Sequence, residues 1–404
     1  IREIHSEAET DFSTQIVPKL ALADMDESAI TVFKNLWAKK QNNKEFLDFD
    51  SEKILRSIDV LSDNGINFAG LILFGKAEKI KHHLPGAEII FEWRQSNKIG
   101  HDFRKEWRAP FFLIFDDIWA AINARNTRFP FPEGFIQREV FSFNEDTIRE
   151  AVLNAVTHRD YSIQAQSIFI KAHPDKISIQ SPGGFLKGVT IENILNRSAW
   201  RNRLIAEIFQ RAGLVERAGQ GLDTIFGNTI REGKGLPDFS GSDDYSITLH
   251  IPAKVKDEQF ILFLEKITNE NQVTLSFEEI YELENIREKQ KLSDVRSKDK
   301  FLELGIIEKI GKTSGQTFML SHKYYLHKGK AGVHTRIAGL SREEKKELIF
   351  KHIQKNGKGY AKDFKDVFQD LKATDIYNLL YELKKSNKIR HVGSDRAGYW
   401  ELAS

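Results

Sequence analysis

Arg149-Glu150-Ala151-Val152-Leu153-Asn154-Ala155-Val156-Thr157-His158-Arg159-Asp160-Tyr161 is the stretch that decides how the rest of this chain is read. Asn144 precedes it as an N-cap, with Glu145 and Asp146 in the first turn, and predicts a helix to about Thr157. On that helix Glu150, Asn154 and His158 fall at i, i+4 and i+8 and form one polar stripe. Ile148, Ala151, Val152 and Ala155 supply its apolar side. A polar stripe on a surface helix is ordinary. Two glycine loops nearby change its meaning: Ser181-Pro182-Gly183-Gly184 follows a strand, and Gly219-Gln220-Gly221 leads into a helix. Glycines there let backbone amides approach an anion, and a helix N-terminus favours negative charge.

Outward from this centre the pattern is α+β. Ser167–Ala172 and Lys176–Gln180 read as strands around a His173-Pro174-Asp175 turn, with helices at 191–196, 202–212 and 222–232 and a closing strand at 245–251. Towards the N-terminus, 27–39, 51–62 and 108–125 read as helices, and 68–74 and 87–93 as strands. Gly70 to Lys76 has the spacing of a phosphate-binding loop. Its intervening residues are Leu-Ile-Leu-Phe, and Ala77 has no hydroxyl for magnesium, so the segment reads as core.

The string 149–161, Ser181–Gly184, Arg201-Asn202 and Glu216–Leu222 together resemble a bacterial and archaeal family. Its members are usually called transcriptional regulators, or RecG-like or ATP-binding proteins. They carry a divergent GHKL (histidine-kinase/gyrase/Hsp90-like) ATP-binding domain. In full-length members an AlbA-like, Schlafen-related domain comes first. The resemblance covers about residues 1–252 and begins just beyond that domain, since the opening Ile-Arg-Glu and the Gly70–Lys76 segment resemble the connecting region.

The resemblance implies roles. Glu150 would polarise an attacking water, and Asn154 would hold the Mg²⁺ that bridges the phosphates of ATP. Gly183 and Gly184 correspond to the adenine-side loop, and Gly219 and Gly221 to the phosphate lid. His158, Arg159, Arg201 and Asn202 belong to the family's own signature, with phosphate or structural roles. Ser181 stands where GHKL proteins usually place an Asp that accepts the adenine amino group. A hydroxyl is the weaker and less selective acceptor.

The 404 residues suggest two to four domains. The expected limits are an α/β connecting region at 1–139, a GHKL-like α/β sandwich at 140–254, a winged helix at 255–328, a linker at 329–340 and a second winged helix at 341–404. With no cysteine, thiolate zinc sites, disulfides and cysteine nucleophiles are excluded, and a reducing, cytoplasmic location is expected. No apolar run approaches the roughly 20 residues needed to span a bilayer, and the start is not a signal peptide. The 12 histidines show no metal-ligand spacing.

The formal net charge is only +2, but residues 321–396 hold 18 Lys/Arg against 9 Asp/Glu. After Lys254 a helix–helix–helix–hairpin pattern occurs twice, with Phe301-Leu-Glu-Leu and Leu380-Tyr-Glu-Leu as a weak repeat. Both copies resemble winged helix-turn-helix units, which place the third helix in the DNA major groove and the hairpin beside the backbone. Lys298 is the candidate contact in the first copy. Lys372, Asn378, Lys384, Lys385, Lys388, Arg390 and Arg396 are the candidates in the second.

The expected function is an ATP-responsive, DNA-binding regulator, with a homodimer as a further expectation. One rival is a slow Mg²⁺-dependent ATPase in DNA transactions or phage defence. The other is a degenerate scaffold that binds no nucleotide and holds DNA-binding arms, a reading that Ser181 supports.

Overall fold

Local capping sets where the helices of the N-terminal half begin. In a computed structural model that describes residues 11–96, 100–133, 136–197, 199–215, 221–310, 316–327, 342–368, 371–394 and 398–403, the chain forms two units, Ile1–Glu284 and Asn285–Ser404. Asp26 accepts from the Ser28 and Ala29 amides to start α1 (Glu27–Gln41), and Asp50 accepts from Lys53 to start α2 (Ser51–Ser57). Asp59 then takes a left-handed backbone, and the short strands β1 (Leu61–Ser62) and β2 (Gly65–Ile66) form a hairpin. The helix expected over 51–62 therefore ends at Ser57, and Leu61 belongs to the hairpin.

The next segment corrects the sequence reading outright. Phe68–Phe74 is not a strand but a helix, α3, capped by Asn67, whose side chain accepts from the Gly70 amide at 3.0 Å. Six of its seven residues, Ala69 to Phe74, are buried. A helix covered on every side has no polar face and hence no readable period, so it looks like a buried strand of the same length. Gly70 is needed there, since a Cβ would lie 2.5 Å from Val60 Cγ1 and 2.7 Å from Ile66 Cγ2. The segment is core, as its composition suggested, and the phosphate-loop spacing is a coincidence of a helix.

The chain continues through α4 (Ala77–His83), β3 (Ile89–Trp93), β4 (Phe103–Trp107), α5 (Phe111–Asn123) and the hairpin β5 (Arg128–Glu133) and β6 (Ile136–Phe141). Next come α6 (Glu145–His158), β7 (Ile168–Ala172), β8 (Lys176–Pro182), α7 (Arg203–Ala212), α8 (Gly221–Arg231) and β9 (Ser246–Pro252). Residues 191–196 yield only a 3-10 turn at Ile194–Asn196, where a helix was expected.

One five-stranded sheet organises this unit, in the order β4-β3-β7-β8-β9. Only β3 and β7 run parallel, with Ile89 opposite Ile168 and Trp93 opposite Ala172; the other pairings are antiparallel. The sheet is therefore shared by the stretches before and after residue 139. Helix α6 packs on β8 and also touches α5, α7 and α8. Ile148, Ala151, Val152 and Ala155 are buried in one continuous core with Ile170, Ile177, Ile179, Leu249 and Ile251. Helices α9 (Glu258–Asn271) and α10 (Phe277–Lys289) follow, and the limit between the units falls within α10.

In the second unit, α11 (Lys298–Glu303) precedes the hairpin β10 (Ile307–Ile310) and β11 (Thr317–Leu320). Helix α11 starts only at Lys298, and upstream of it the Leu292 backbone exchanges hydrogen bonds of 2.9 and 2.8 Å with Phe318. After α12 (His322–His327) come α13 (Arg342–Asn356), α14 (Ala361–Val367), α15 (Ala373–Lys385), β12 (Ile389–Val392) and β13 (Tyr399–Leu402). Three helices and a hairpin thus share a core of Ile349, Ile353, Phe364, Ile376, Leu380 and Leu383, closed by Ile389 and Trp400. Gly359 exchanges backbone hydrogen bonds with Trp400, adding a short third rung to the hairpin. The expected linker at 329–340 lies outside the described residues.

Candidate functional site

Helix α6 is held from both ends. Asn144 caps it through the Thr147 amide at 3.1 Å and donates its own amide to Glu232 at 2.7 Å. On its outer side Arg149 bonds Glu145 at 2.7 Å and Asp116 at 2.8 Å. With the apolar side sunk in the core, the Glu150–Asn154–His158 stripe is left along the wall of a cavity of about 330 Å³. That volume is at the small end of the usual range for ligand sites.

Gly221, the first residue of α8, closes on the near end of the stripe. A Cβ there would overlap Glu150 Oε1 and come within 2.9 Å of Asn154 Nδ2. Burial pushes the Glu150 carboxyl up to about 7, and the Asn154 amide acts against that rise. The Asn154 nitrogen is itself buried and makes no well-formed hydrogen bond. A carboxyl that titrates near neutrality, the Asn154 amide beside it and a helix N-terminus therefore meet at one place.

The strand β8 delivers Ser181 to the same cavity, 7% exposed, with its hydroxyl donating to the Ala155 carbonyl at 2.8 Å. The loop after it requires both glycines. Gly183 has φ +104°, and a Cβ on it would lie 2.7 Å from Asp160 Cβ; a Cβ on Gly184 would lie 2.6 Å from the Asp244 carbonyl oxygen. Arg201 ties this loop in place, donating to the Gly184 carbonyl at 2.9 Å and facing Asp160 at 3.6 Å. His158 lines the cavity beside it. Burial, and then the charge of Arg201, lower its imidazole to about 4, so it is neutral at physiological pH.

The structure thus brings Glu150, Asn154, His158, Ser181, Gly183, Gly184, Arg201 and Gly221 into one wall. Asn202 is not among them. It is fully buried behind the cavity, where its amide donates to the Thr157 and Arg159 carbonyls at 2.8 Å each, closing the end of α6. Arg159 also faces away. Its guanidinium, 1% exposed, donates to the carbonyls of Gly86, Asp160, Ile163 and Gln166, and so pins the loop between α6 and β7. Gly219 lies outside the described residues. The sequence reading missed the apolar wall supplied by Phe185, Leu195, Trp200 and Phe239. No period marks these residues, since they come from turns rather than from one element.

In the second unit Lys372, Asn378, Lys384, Lys385, Lys388 and Arg390 are all exposed on α15 and the hairpin that follows it. Arg390 is already paired with Glu401 at 2.6 Å. Lys298 is exposed on the separate helix α11, and Arg396 lies outside the described residues. Tyr377 and Tyr381, 50% and 63% exposed, stand four residues apart on the outer face of α15. Their position was readable from the sequence, because they alternate with the buried Ile376, Leu379, Leu380 and Leu383.

Among the described residues no cluster of His, Asp and Glu is arranged to hold a metal ion unaided, and no helix is long and apolar enough to cross a membrane.

Residues 165–251 match the family described as "Putative ATP-dependent DNA helicase recG C-terminal". That span holds Ser181, Gly183, Gly184, Arg201 and Gly221, while Glu150, Asn154 and His158 lie before it. Residues 2–90 match a domain of unknown function (DUF8451). No curated protein matches the chain. Among solved structures, the DIP2311 protein from Corynebacterium diphtheriae is similar in fold, with a TM-score of 0.60 at 17% identity over 97% of this chain and 70% of that one.

Proposed function

We propose that the first unit binds ATP with Mg²⁺ in the α6 cavity and that the helix–hairpin elements after it are winged helices that bind DNA, making the protein a nucleotide-responsive, DNA-binding regulator. The observation that carries the nucleotide part is the meeting of Glu150, Asn154 and the N-terminus of α8 at one end of a cavity whose wall contains the Gly183-Gly184 loop. An ATPase-type family match over 165–251 supports the same reading.

Phosphates belong at the Gly221 end. The helix N-terminus favours negative charge there, and glycine lets the backbone approach. Magnesium fits this wall as a guest of the triphosphate, because it keeps several waters and takes phosphate oxygens with only one or two protein ligands. Asn154 is the residue to hold it, through its side-chain amide oxygen, since it lines the cavity beside Glu150 and Gly221. When bound, the ion would neutralise phosphate charge.

Glu150 favours the slow-ATPase reading as a second possibility. A carboxyl poised near 7 can accept a proton from a water at physiological pH. The helicase in the matched family's description belongs to that family. In this chain the Gly70–Lys76 spacing runs through α3 and into its end, so it offers no phosphate loop.

The DNA part rests on the exposed basic groups of α15 and the β12–β13 hairpin, which suit a phosphate backbone. The decisive experiment is calorimetric titration of MgATP into the full chain and into Asn154→Ala. Saturable binding that the variant loses supports the site. A folded chain that binds nothing would leave the scaffold reading.

A further inference from the structure

Helix α15 spends one side on packing and leaves the other bare. Ile376, Leu379, Leu380 and Leu383 enter the core shared with α13, α14 and the hairpin. That core closes without Tyr377 and Tyr381, which stay 50% and 63% exposed. Among the described residues neither ring stacks on another aromatic side chain. With Lys384 the two tyrosines fall at i, i+4 and i+7 and form one outward stripe.

We propose that this stripe holds an unpaired nucleic-acid strand, with bases stacked on Tyr377 and Tyr381 and phosphates met by the lysines at the end of α15. The proposal rests on the DNA-binding reading of this unit and adds to it a preference for single strand over duplex.

The rings argue for an unpaired strand. A duplex turns only base edges towards its grooves, whereas a single strand presents whole base faces. An aromatic ring gains most from a face, and every base has one. Side chains four apart on a helix stand about 5–6 Å apart at Cβ. A base clasped between two rings needs about 7 Å, twice the stacking step of about 3.4 Å, so the pair is spaced to take one base between them or one on each. The charges argue for nucleic acid. Both carboxylates of α15 are committed: Asp375 accepts from the Lys372 amide at 3.2 Å, and Glu382 is held by Arg342 at 2.6 Å and Lys346 at 3.3 Å. Neither is left to repel a phosphate. Lys384 and Lys385 are exposed at the end of the helix, and Lys388 follows with its Nζ 5.8 Å from the Phe350 ring centroid. Stacking surfaces beside a basic track are the two parts that hold single strands with little regard to sequence.

The test is fluorescence anisotropy at one salt concentration, with the full chain and four probes of about 16 nucleotides. These are oligothymidylate, oligouridylate, an abasic strand with the same phosphates, and a DNA duplex. Oligothymidylate should bind at least about tenfold more tightly than the abasic strand or the duplex, the scale of one or two stacked bases. Tyr377→Ala and Tyr381→Ala should each weaken it by about fivefold to a hundredfold, while abasic and duplex affinities change less than about twofold. Tyr377→Phe and Tyr381→Phe keep the ring and should bind oligothymidylate within about twofold of the unaltered chain. Oligouridylate separates the two sources of such a strand: tyrosine dependence on either one supports the proposal, and the tighter of the two names the natural strand. Duplex binding as tight as single-strand binding, and independent of both tyrosines, overturns the proposal and leaves the DNA reading standing. Alanine variants that bind oligothymidylate as the unaltered chain does also overturn it, including the case in which they abolish self-association instead. Binding of none of the four probes overturns the DNA reading and the proposal together.

Discussion

Gly221 opens α8 directly against Glu150, so close that any side-chain carbon at 221 would overlap the carboxylate and crowd the Asn154 amide at 2.9 Å. The two helices, 71 positions apart at these residues, are in register only because one of them begins with a residue that has no side chain. This contact ties the acidic end of the α6 stripe to the helix whose N-terminus would face an anion.

Gly221→Ala should therefore push α8 away from α6. The methyl group costs about 1–3 kcal/mol of stability, the usual scale of overpacking. MgATP affinity should fall by at least tenfold. Chemical denaturation and calorimetry on the same sample check both numbers; unchanged affinity would separate α8 from the ligand.

Glu150→Gln should alter how stability depends on pH. The folded carboxyl titrates near 7, against 4.5 for its ordinary value, so below about 4.5 it is protonated in both the folded and the unfolded chain. As pH rises from there through 7, the unfolded chain ionises first and the native state loses stability. The glutamine variant does not titrate, so its advantage over the unaltered chain should grow between pH 4.5 and 8 to at most about 3 kcal/mol. Urea unfolding at the two pH values measures it, and a constant difference would contradict the buried carboxyl.

Arg159→Met should be far more damaging than its distance from the cavity suggests. The guanidinium donates to four backbone carbonyls, and each buried acceptor left without a partner costs about 1–3 kcal/mol. The unfolding midpoint should drop steeply. A midpoint within a degree or two of the parent would show that water takes over these carbonyls.

Charge reversal on α15 tests the proposed DNA face. Lys384→Glu with Lys385→Glu should lower the dependence of log affinity on log salt by about two, since each phosphate contact contributes roughly one counterion. Arg390→Ala should change it less, because Arg390 is already paired with Glu401. Filter-binding or fluorescence titration at several salt concentrations supplies the slopes.

The candidate site was legible where chemistry and period coincide in a short stretch. Asn144, the two acids after it and the four-residue spacing of Glu150, Asn154 and His158 locate α6 and its exposed stripe from local rules alone. The Ser181–Gly184 loop is legible because a left-handed turn needs its glycine. Asn202 was not. It neighbours Arg201 in the chain, yet its amide reaches carbonyls 43 and 45 residues earlier, a contact that no local pattern announces. The same holds for α3, whose burial on all sides erases its period, and for the parallel pairing of β3 with β7, which joins strands 79 positions apart.

That parallel pairing has a practical consequence for anyone trimming the chain. A fragment beginning at residue 140 would keep α6 and the glycine loop but discard β3, leaving the β7 backbone from Ile168 to Ala172 as a bare, largely apolar edge. Open edges of this kind recruit other chains. Such a fragment would be expected to aggregate before it could be assayed, and the smallest soluble piece bearing the cavity must begin upstream of Ile89.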